Sequence, residues 1–196
     1  VNDRPDVHYK KCATERDMVA KFAEFWTQYN PDVVTGWNVK FFDIPYLMNR
    51  FKNLMGEEYI SQFSPWGIVN EGTALGLGYN RQEKYFDLLG IATLDYLDLY
   101  RKHTFVRRES YKLDYIGEVE VGENKNENPY DTFKEFYSND YQRFIEYNIQ
   151  DVELVDKLED KMKLIELHLT MAYEAKVNYQ DCFGQVRMWD SIIFNH

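Results

Sequence analysis

The sequence predicts an α/β fold in which helices and short buried strands follow one another. Three segments lead to this prediction: a helical pattern at 14–29, a strand, turn and helix over 31–55, and a long helical region at 139–175. At 196 residues the chain is expected to form one domain. A chain of this length can bury most of the surface that it exposes when unfolded.

The first helix is predicted at 14–29 because apolar side chains recur there every three to four residues. Thr14 is suited to cap its N-terminus, with Asp17 three residues later, and Asn30-Pro31 ends it. We expect the apolar stripe to be core rather than a platform on which bases stack. The stripe consists of Met18, Val19, Phe22, Phe25, Trp26 and Tyr29.

A strand, a turn and a second helix are predicted next. The β-branched residues at 33–35 favour a strand, and Gly36 permits a bend where it ends. Pro45 suits the first turn of a helix running from about 44 to 55.

Asn38 and Asp43 lie just past the C-terminal end of this strand, where open α/β sheets place their sites. Two interpretations of Asp43 remain open from this stretch alone. An aspartate before Ile-Pro-Tyr-Leu is an ordinary helix N-cap, and it is also suited to a chemical role.

Further along the chain, Gly-rich residues 64–90 contain one strand candidate at 84–89, and residues 91–100 predict a strand that runs into a helix. We interpret Asp95 and Asp98 as solvated or capping residues rather than metal ligands. Residues 117–131 predict a polar loop.

The long helical region at 139–175 leaves a break near Asn148 as an open alternative. His168 fits a position on the surface or in the core of a helix rather than a ligand. The predicted apolar stripe consists of Val152, Val155, Leu158, Met162, Ile165 and Leu169.

Within this region Tyr147 and Asp151 are four residues apart and therefore share one helix face. Of the sixteen tyrosines, only Tyr147 has an aspartate four residues later. By itself, a surface tyrosine beside a solvated aspartate explains this pair equally well.

Together and in this order, the two patterns resemble motifs Exo II and Exo III of the 3′–5′ exonuclease domain of family B DNA polymerases. Exo II is Asn-x-x-x-(Phe/Tyr)-Asp, matched by Asn38, Phe42 and Asp43, and Exo III is Tyr-x-x-x-Asp, matched by Tyr147 and Asp151. The resemblance, to the T-even-type bacteriophage replicative polymerases in particular, covers nearly the whole chain. The segments that look most like them are 35–38, 42–46, 94–100, 110–116 and 189–195.

The resemblance implies an RNase H-like α/β fold, with a mixed sheet flanked by helices and a β-hairpin insertion that helps to separate primer from template. Residues 1–175 would form a partial exonuclease domain, and 176–196 would lead towards the palm domain. The hairpin tip would fall around Tyr79, Asn80 and Arg81, with Tyr79 and Arg81 contacting DNA. The alternative for this segment is a flexible surface loop.

The resemblance also implies the site residues. Asp43, Tyr147 and Asp151 would be catalytic, with Asp151 helping to hold the metal that carries the attacking water and Asp43 serving the second metal. Tyr147 would orient the water or the scissile phosphate, while Asn38 and Phe42 would contact the frayed single-stranded primer end. Two divalent ions roughly 4 Å apart suit phosphodiester hydrolysis. Mg²⁺ or Mn²⁺ is expected because carboxylate oxygens are the ligands that these hard cations prefer.

The family's first motif, Exo I, is an Asp-x-Glu on a strand, and none occurs before Asn38. The sequence contains a single Asp-x-Glu, Asp151-Val152-Glu153. Residues i and i+2 diverge on a helix, so Glu153 is predicted to be a solvated residue rather than a substitute. With Val1 in place of Met, we expect an N-terminally truncated piece of a polymerase, inactive alone, whose sheet lacks its central strand. The open sheet edge predicts self-association.

Composition narrows the expected partners. The net charge of −10 and pI near 4.9 argue against DNA binding by a basic face. Because the resembling polymerases grip the duplex largely through other domains, we expect these residues alone to bind DNA weakly. The sequence shows no apolar run of membrane-spanning length and no signal-peptide pattern. Cys12 and Cys182 are interpreted as reduced structural thiols.

The resemblance implies a viral replication protein in the cytoplasm of the infected bacterial host, acting on a single-stranded primer terminus together with the remaining polymerase domains. One alternative is a non-catalytic module of a split polymerase, which works only after association with another chain. Another is an unrelated carboxylate-metal enzyme such as a phosphatase.

Overall fold

The structure is a computed structural model that describes residues 4–75, 82–123 and 129–195. It confirms the α/β class. The helices are α1 (Glu15–Tyr29), α2 (Asp43–Met55), α3 (Tyr96–His103), α4 (Leu113–Val121), α5 (Phe133–Asn139), α6 (Tyr141–Met162), α7 (Leu164–Ala175) and α8 (Gln185–Phe194). The strands are β1 (Val33–Gly36), β2 (Val69–Leu75), β3 (Gln82–Leu88) and β4 (Ala92–Asp95), and 3-10 helices span Glu57–Phe63 and Tyr179–Phe183.

The chain divides into two compact units. The first unit comprises residues 1–10 and 104–164, and therefore holds α4, α5 and α6. The second unit comprises residues 11–103 and 165–196, and holds all four strands of the described residues. None of the described helices is long and apolar enough to cross a membrane.

Two separate two-stranded sheets, rather than one mixed sheet, are present in the described residues. Strands β1 and β4 are parallel and in register, with Gly36 opposite Asp95. Strands β2 and β3 are antiparallel, with Val69 opposite Leu88. This confirms the predicted hairpin over the alternative of a loop. The predicted tip residues, Tyr79, Asn80 and Arg81, lie outside the described residues.

Helix α1 begins and ends as predicted, but its stripe is only partly core. Thr14 accepts a hydrogen bond from the Asp17 N–H at 3.1 Å. Val19 and Ala23 are buried, and the Trp26 indole donates to the Phe63 carbonyl at 3.1 Å. The side of α1 that carries Val19, Ala23 and Trp26 packs on the core. The rest of the apolar stripe remains exposed, because the stripe is wider than the part of the helix that other residues cover. The exposed residues are Met18, Phe22, Phe25 and Tyr29.

The first unit shows two further differences from the predictions. Helix α6 continues through Asn148, so the break lies instead at Lys163, which adopts a left-handed conformation with φ 54°. The helix buries Leu154 and Leu158, but Val152 is 72% exposed. Positions 152 and 154 are about 200° apart around a helix, so both cannot face the same core.

Helix α4 occupies part of the predicted polar loop at 117–131. Gly117 lies inside this helix, where an added Cβ would be 2.7 Å from the Leu154 Cδ2 atom. A glycine that predicts a loop by composition therefore allows close packing of α4 on α6. The helix ends at Gly122, which has a φ of 76°.

The core of the second unit includes His168, which is fully buried on α7. Its Nε2 atom lies 2.8 Å from the Tyr179 carbonyl oxygen, and its Nδ1 atom lies 3.5 Å from Nε2 of His103. This confirms a core position for His168. Within the described residues, neither Cys12 nor Cys182 forms a disulfide.

Candidate functional site

The loop after β1 carries the first group of predicted site residues. Asn38 has a left-handed φ of 65°, a conformation that asparagine tolerates better than most residues. Its N–H donates to Oδ1 of Asp95 at 3.0 Å. The Oδ1 atom of the Asn38 side chain is buried and has no hydrogen-bond partner among the described residues. A buried acceptor of this kind is suited to a hydrogen bond from a ligand.

Phe42 and Asp43 follow at the start of α2. Phe42 is 66% exposed and takes the N-cap position, where its side chain accepts no hydrogen bond from the backbone N–H groups of the first turn. The interpretation of Asp43 as the N-cap is therefore wrong, because Asp43 is the first residue of the helix itself. Asp43 is exposed, yet partial desolvation raises the pKa of its carboxyl, while its own backbone N–H acts in the opposite direction.

The loop between Asn38 and Phe42 also carries a positively charged side chain, that of Lys40. The Lys40 Nζ atom lies 5.2 Å from the ring centre of Phe41 and 5.1 Å from that of Tyr85 on β3. A cation over an aromatic ring is attracted by the negative face of the ring. Lys40 therefore links this loop to the middle of the hairpin, where Tyr85 pairs with Gly72, a contact that the sequence did not indicate.

Asp95 is the residue of this region that the sequence-based interpretation described incorrectly. It is not solvated: it is 2% exposed and accepts hydrogen bonds from the N–H groups of Asn38, Lys40 and Leu97, each at 3.0 Å. The bond from Leu97 caps α3, so the capping part of the interpretation is confirmed. Burial raises the pKa of Asp95 to about 6. The signal in the sequence is an aspartate at the last position of a strand, directly before the first residue of a helix.

Tyr147 and Asp151 form the second group, on one face of α6. Tyr147 is buried, with its ring centre 6.0 Å from that of Phe133 and 5.7 Å from that of Phe136. This excludes the alternative of a surface tyrosine. Asp151 is partly exposed.

Glu153, two residues further along α6, has a different environment. Its carboxylate pairs with Arg4 at 2.5 Å, and Arg4 also pairs with Asp6 at 2.5 Å. All three side chains are partly exposed. Glu153 is thus a surface residue as predicted, with an ion pair that the sequence did not indicate.

The two groups of predicted site residues belong to different compact units: Asn38, Phe42 and Asp43 to the second, Tyr147 and Asp151 to the first. Carboxylate oxygens are suitable donors for Mg²⁺ or Mn²⁺. However, the described residues contain no group of three or more His, Cys, Asp or Glu side chains that would hold a metal ion. Asp43 and Asp151 thus fit such an ion by donor type and do not complete its coordination.

The fold and the site define an α/β protein with acidic and aromatic residues at the carboxyl end of a parallel strand pair. A family model for the exonuclease domain of family B DNA polymerases matches residues 2–116, more than half of the chain. The chain therefore belongs to the exonuclease domain family of family B DNA polymerases. The matched residues include the first group of predicted site residues, Asn38, Phe42 and Asp43.

Individual relatives extend the match beyond these residues. The chain is 39% identical to the DNA-directed DNA polymerase of Escherichia phage RB69, over 95% of this chain and 20% of that protein. It is 37% identical to the DNA-directed DNA polymerase of Enterobacteria phage T4, over 96% of this chain and 21% of that protein. The DNA polymerase delta catalytic subunit of Caenorhabditis elegans is 27% identical over 83% of this chain.

These matches confirm the resemblance to the T-even-type polymerases. The chain spans about a fifth of the length of the phage relatives.

Proposed function

We propose that these residues form part of a proofreading 3′–5′ exonuclease of a DNA-directed DNA polymerase, which hydrolyses the 3′-terminal nucleotide of single-stranded primer ends. The observation that carries the proposal is the loop after β1. Exposed side chains of Phe42 and Asp43 follow Asn38 by four and five residues, and the buried Oδ1 atom of Asn38 has no hydrogen-bond partner among the described residues. All three residues lie within the part of the chain that matches the exonuclease family.

Asn38 and Phe42 bind the primer end in this proposal. The exposed Phe42 ring offers a face on which a base can stack, an interaction worth about 1–3 kcal/mol per base. The buried Oδ1 atom of Asn38 accepts a hydrogen bond from the nucleotide. Tyr79 and Arg81, predicted as DNA contacts at the hairpin tip, remain a prediction.

Asp43 and Asp151 would hold two Mg²⁺ or Mn²⁺ ions, with Asp43 acting partly through water. When bound, such ions neutralise charge on the phosphate, activate a water and stabilise the leaving oxygen. The raised pKa of Asp43 supports its role, because a partly desolvated carboxylate gains more from a nearby cation than a fully hydrated one. Further carboxylates must complete the coordination, since the described residues contain no group of three.

Tyr147 orients the attacking water or the scissile phosphate with its hydroxyl. The contacts of its ring with Phe133 and Phe136 support this role, because a buried ring has few alternative orientations. One face of α6 thus supplies both a positioned hydroxyl and the Asp151 carboxylate.

Specificity for errors follows from the state of the substrate. A mispaired primer end frays more readily, so it is single-stranded for a larger fraction of the time and reaches the site more often. The phage relatives support a protein of viral replication, which we place in the cytoplasm of the infected bacterium. The remaining polymerase domains are its proposed partners, and self-association through an open sheet edge remains a prediction.

The test is excision from a 3′-labelled primer by the whole protein that carries these residues. We expect mononucleotides released from the 3′ end, faster from a mispaired than from a matched primer, and no release in EDTA. The same assay with the 196-residue chain alone is expected to show little activity.

Two other results would change the proposal. Activity that appears only after a second chain is added would favour the split-polymerase module. Metal-dependent hydrolysis of a small phosphate ester with no action on DNA would favour the phosphatase alternative.

A further inference from the structure

Asp95 makes contacts that a helix cap does not require. Its Oδ1 atom accepts the N–H of Leu97, two residues along the chain, which is the ordinary contact of a capping aspartate. Oδ1 also accepts the N–H of Asn38, and Oδ2 accepts the N–H of Lys40, at 57 and 55 residues of separation. Two of its three bonds therefore act on the loop after β1.

These two hydrogen bonds stabilise a left-handed backbone conformation at Asn38, which most residues adopt only at a cost in energy. Asn38 between them is left-handed, at φ 65°. Asp95 is paired with Gly36 in the parallel register of β1 and β4, so the anchor belongs to the sheet rather than to a mobile segment. At 2% exposure its carboxylate has little water to compete for the N–H groups.

Backbone hydrogen bonds connect this loop with the start of α2, where Asp43 lies. The Asn38 carbonyl accepts the N–H of Phe42 at 3.0 Å, and the Val39 carbonyl accepts the N–H of Ile44 at 3.0 Å. Asp43 lies between these two bonded residues. A chain of hydrogen bonds thus runs from the buried Asp95 carboxylate to the backbone on both sides of Asp43.

We propose that Asp95 is a positioning residue of the exonuclease site, which holds the backbone of the Asn38–Asp43 loop so that Asp43 and Asn38 meet metal and primer. This inference rests on the proposed function. Misplacement of a reacting group by about 1 Å is enough to lower a rate on the order of 100-fold. Asp95 itself touches neither substrate nor metal in this account.

The test compares two variants of Asp95 in the whole protein. Asp95→Ser keeps an oxygen that can cap α3 but removes the second oxygen and the reach to the loop. Asp95→Asn keeps the shape and one acceptor oxygen, and replaces the other with an NH₂ group that cannot accept the Lys40 N–H. We expect kcat for excision of a mispaired nucleotide to fall roughly 100-fold in Asp95→Ser and roughly 10-fold in Asp95→Asn.

The metal requirement distinguishes positioning from stability. We expect the Mg²⁺ concentration for half-maximal rate to rise in both variants, well below their melting temperatures. Asp98→Asn is the matched control, because it removes one negative charge close to Asp95, at a partly buried position on α3, without removing a hydrogen bond to the loop. Asp98 accepts no hydrogen bond from the described residues, and this variant is expected to match the wild type in both rate and metal requirement.

A second measurement does not depend on any variant. In hydrogen–deuterium exchange of the wild-type protein, the amides of Asn38 and Lys40 are expected to exchange slowly, at rates close to those of β1. Fast exchange at both amides overturns the anchor, even where the Asp95 variants fail to fold.

The outcomes separate this inference from the proposed function. If the wild type shows no metal-dependent excision, the proposed function fails, and exchange at Asn38 and Lys40 still tests the anchor. If Asp43→Ala leaves excision intact, the assignment of the site is wrong although the function stands. If Asp43→Ala abolishes excision while the Asp95 variants keep wild-type rates and metal requirements, the positioning role of Asp95 is wrong.

Discussion

Burial of Asp95 makes the stability of the protein sensitive to pH. Burial raises its pKa from 3.8 to about 6 against the lowering effect of three backbone N–H groups, with the nearby charge of Asp98 acting in the same direction as burial. Between these two pH values the folded protein binds more protons than the unfolded chain. The contribution of protonated Asp95 to the free energy of unfolding is therefore fully present below about pH 4 and is lost as the pH rises through about 6.

We expect Asp95→Asn to remove this pH dependence. The free energy of unfolding of the wild type, relative to that of the variant, should fall by up to about 3 kcal/mol between pH 4 and pH 7. Urea unfolding of both proteins across this range measures the difference. Equal slopes of stability against pH in the two proteins would contradict the burial of an ionisable carboxyl at this position.

Tyr147 separates the contribution of a hydroxyl from that of a ring. Tyr147→Phe keeps the ring contacts with Phe133 and Phe136, so its melting temperature is expected to stay near that of the wild type, while excision slows by about 10-fold. Tyr147→Ala is expected to lose about 3 kcal/mol of stability as well. Single-turnover excision and thermal unfolding of both variants check this. An unchanged excision rate in Tyr147→Phe would show that the hydroxyl has no role in the reaction.

At the residue scale, the sequence signals for the candidate site are local. Asn38, Phe42 and Asp43 stand within six positions of one another at the end of a strand. The burial of Asp95 could not be predicted in this way, because it depends on β4 lying beside β1, and a loop more than 50 residues away supplies two of its donors.

At the scale of elements, α6 tests which face of a long helix is core. Leu158 is fully buried and Val152 is 72% exposed, although both belong to the predicted stripe. We expect Leu158→Ala to lower the free energy of unfolding by about 3 kcal/mol, and Val152→Ala to change it by less than about 0.5 kcal/mol. Chemical denaturation of the two variants gives the comparison. Similar losses from both would mean that α6 is rotated from the orientation described.

The ends of helices were predicted closely where the sequence contains a proline or a glycine that stops a helix. Helix α1 ends at Asn30-Pro31, and α2 ends at Gly56 as expected. The failures were elements whose form depends on packing. Gly117 appeared to mark a loop, yet it lies inside α4 against Leu154, because only a residue without a side chain allows that approach. The apolar stripe of α1 was likewise visible in the sequence, but the sequence did not indicate which of its residues other elements would bury.

At the scale of the molecule, net charge opposes DNA binding by these residues alone. With a charge of −10, the chain repels a polyanion unless the site itself supplies compensating contacts. We expect the 196-residue chain to bind single-stranded DNA with a Kd weaker than about 10⁻⁴ M at physiological salt. Fluorescence anisotropy with a labelled oligonucleotide measures this. Submicromolar binding by the chain alone would show a DNA-binding surface that its composition conceals.

The distribution of the site residues over two compact units also belongs to this scale. Asp43 and Asp151 lie in different units, and the sequence predicted both only because two motifs in a fixed order resemble one family. Neither motif was specific alone. The family match and the phage relatives confirm the family that the two motifs together indicated, whereas the roles of Asp43 and Asp151 stay a prediction.

The most direct test of the central claim is single-turnover excision of a mispaired 3′ nucleotide by the whole protein and its variants. Asp43→Ala and Asp151→Ala are each expected to lower the rate roughly 100-fold or more, because lost metal positioning removes several kcal/mol and about 1.4 kcal/mol corresponds to tenfold. Glu153→Ala, which changes the neighbouring carboxylate, is expected to excise at the wild-type rate, and all three variants are expected to extend a matched primer normally. Intact excision by Asp43→Ala, or its loss in Glu153→Ala alone, would contradict the assignment of the site.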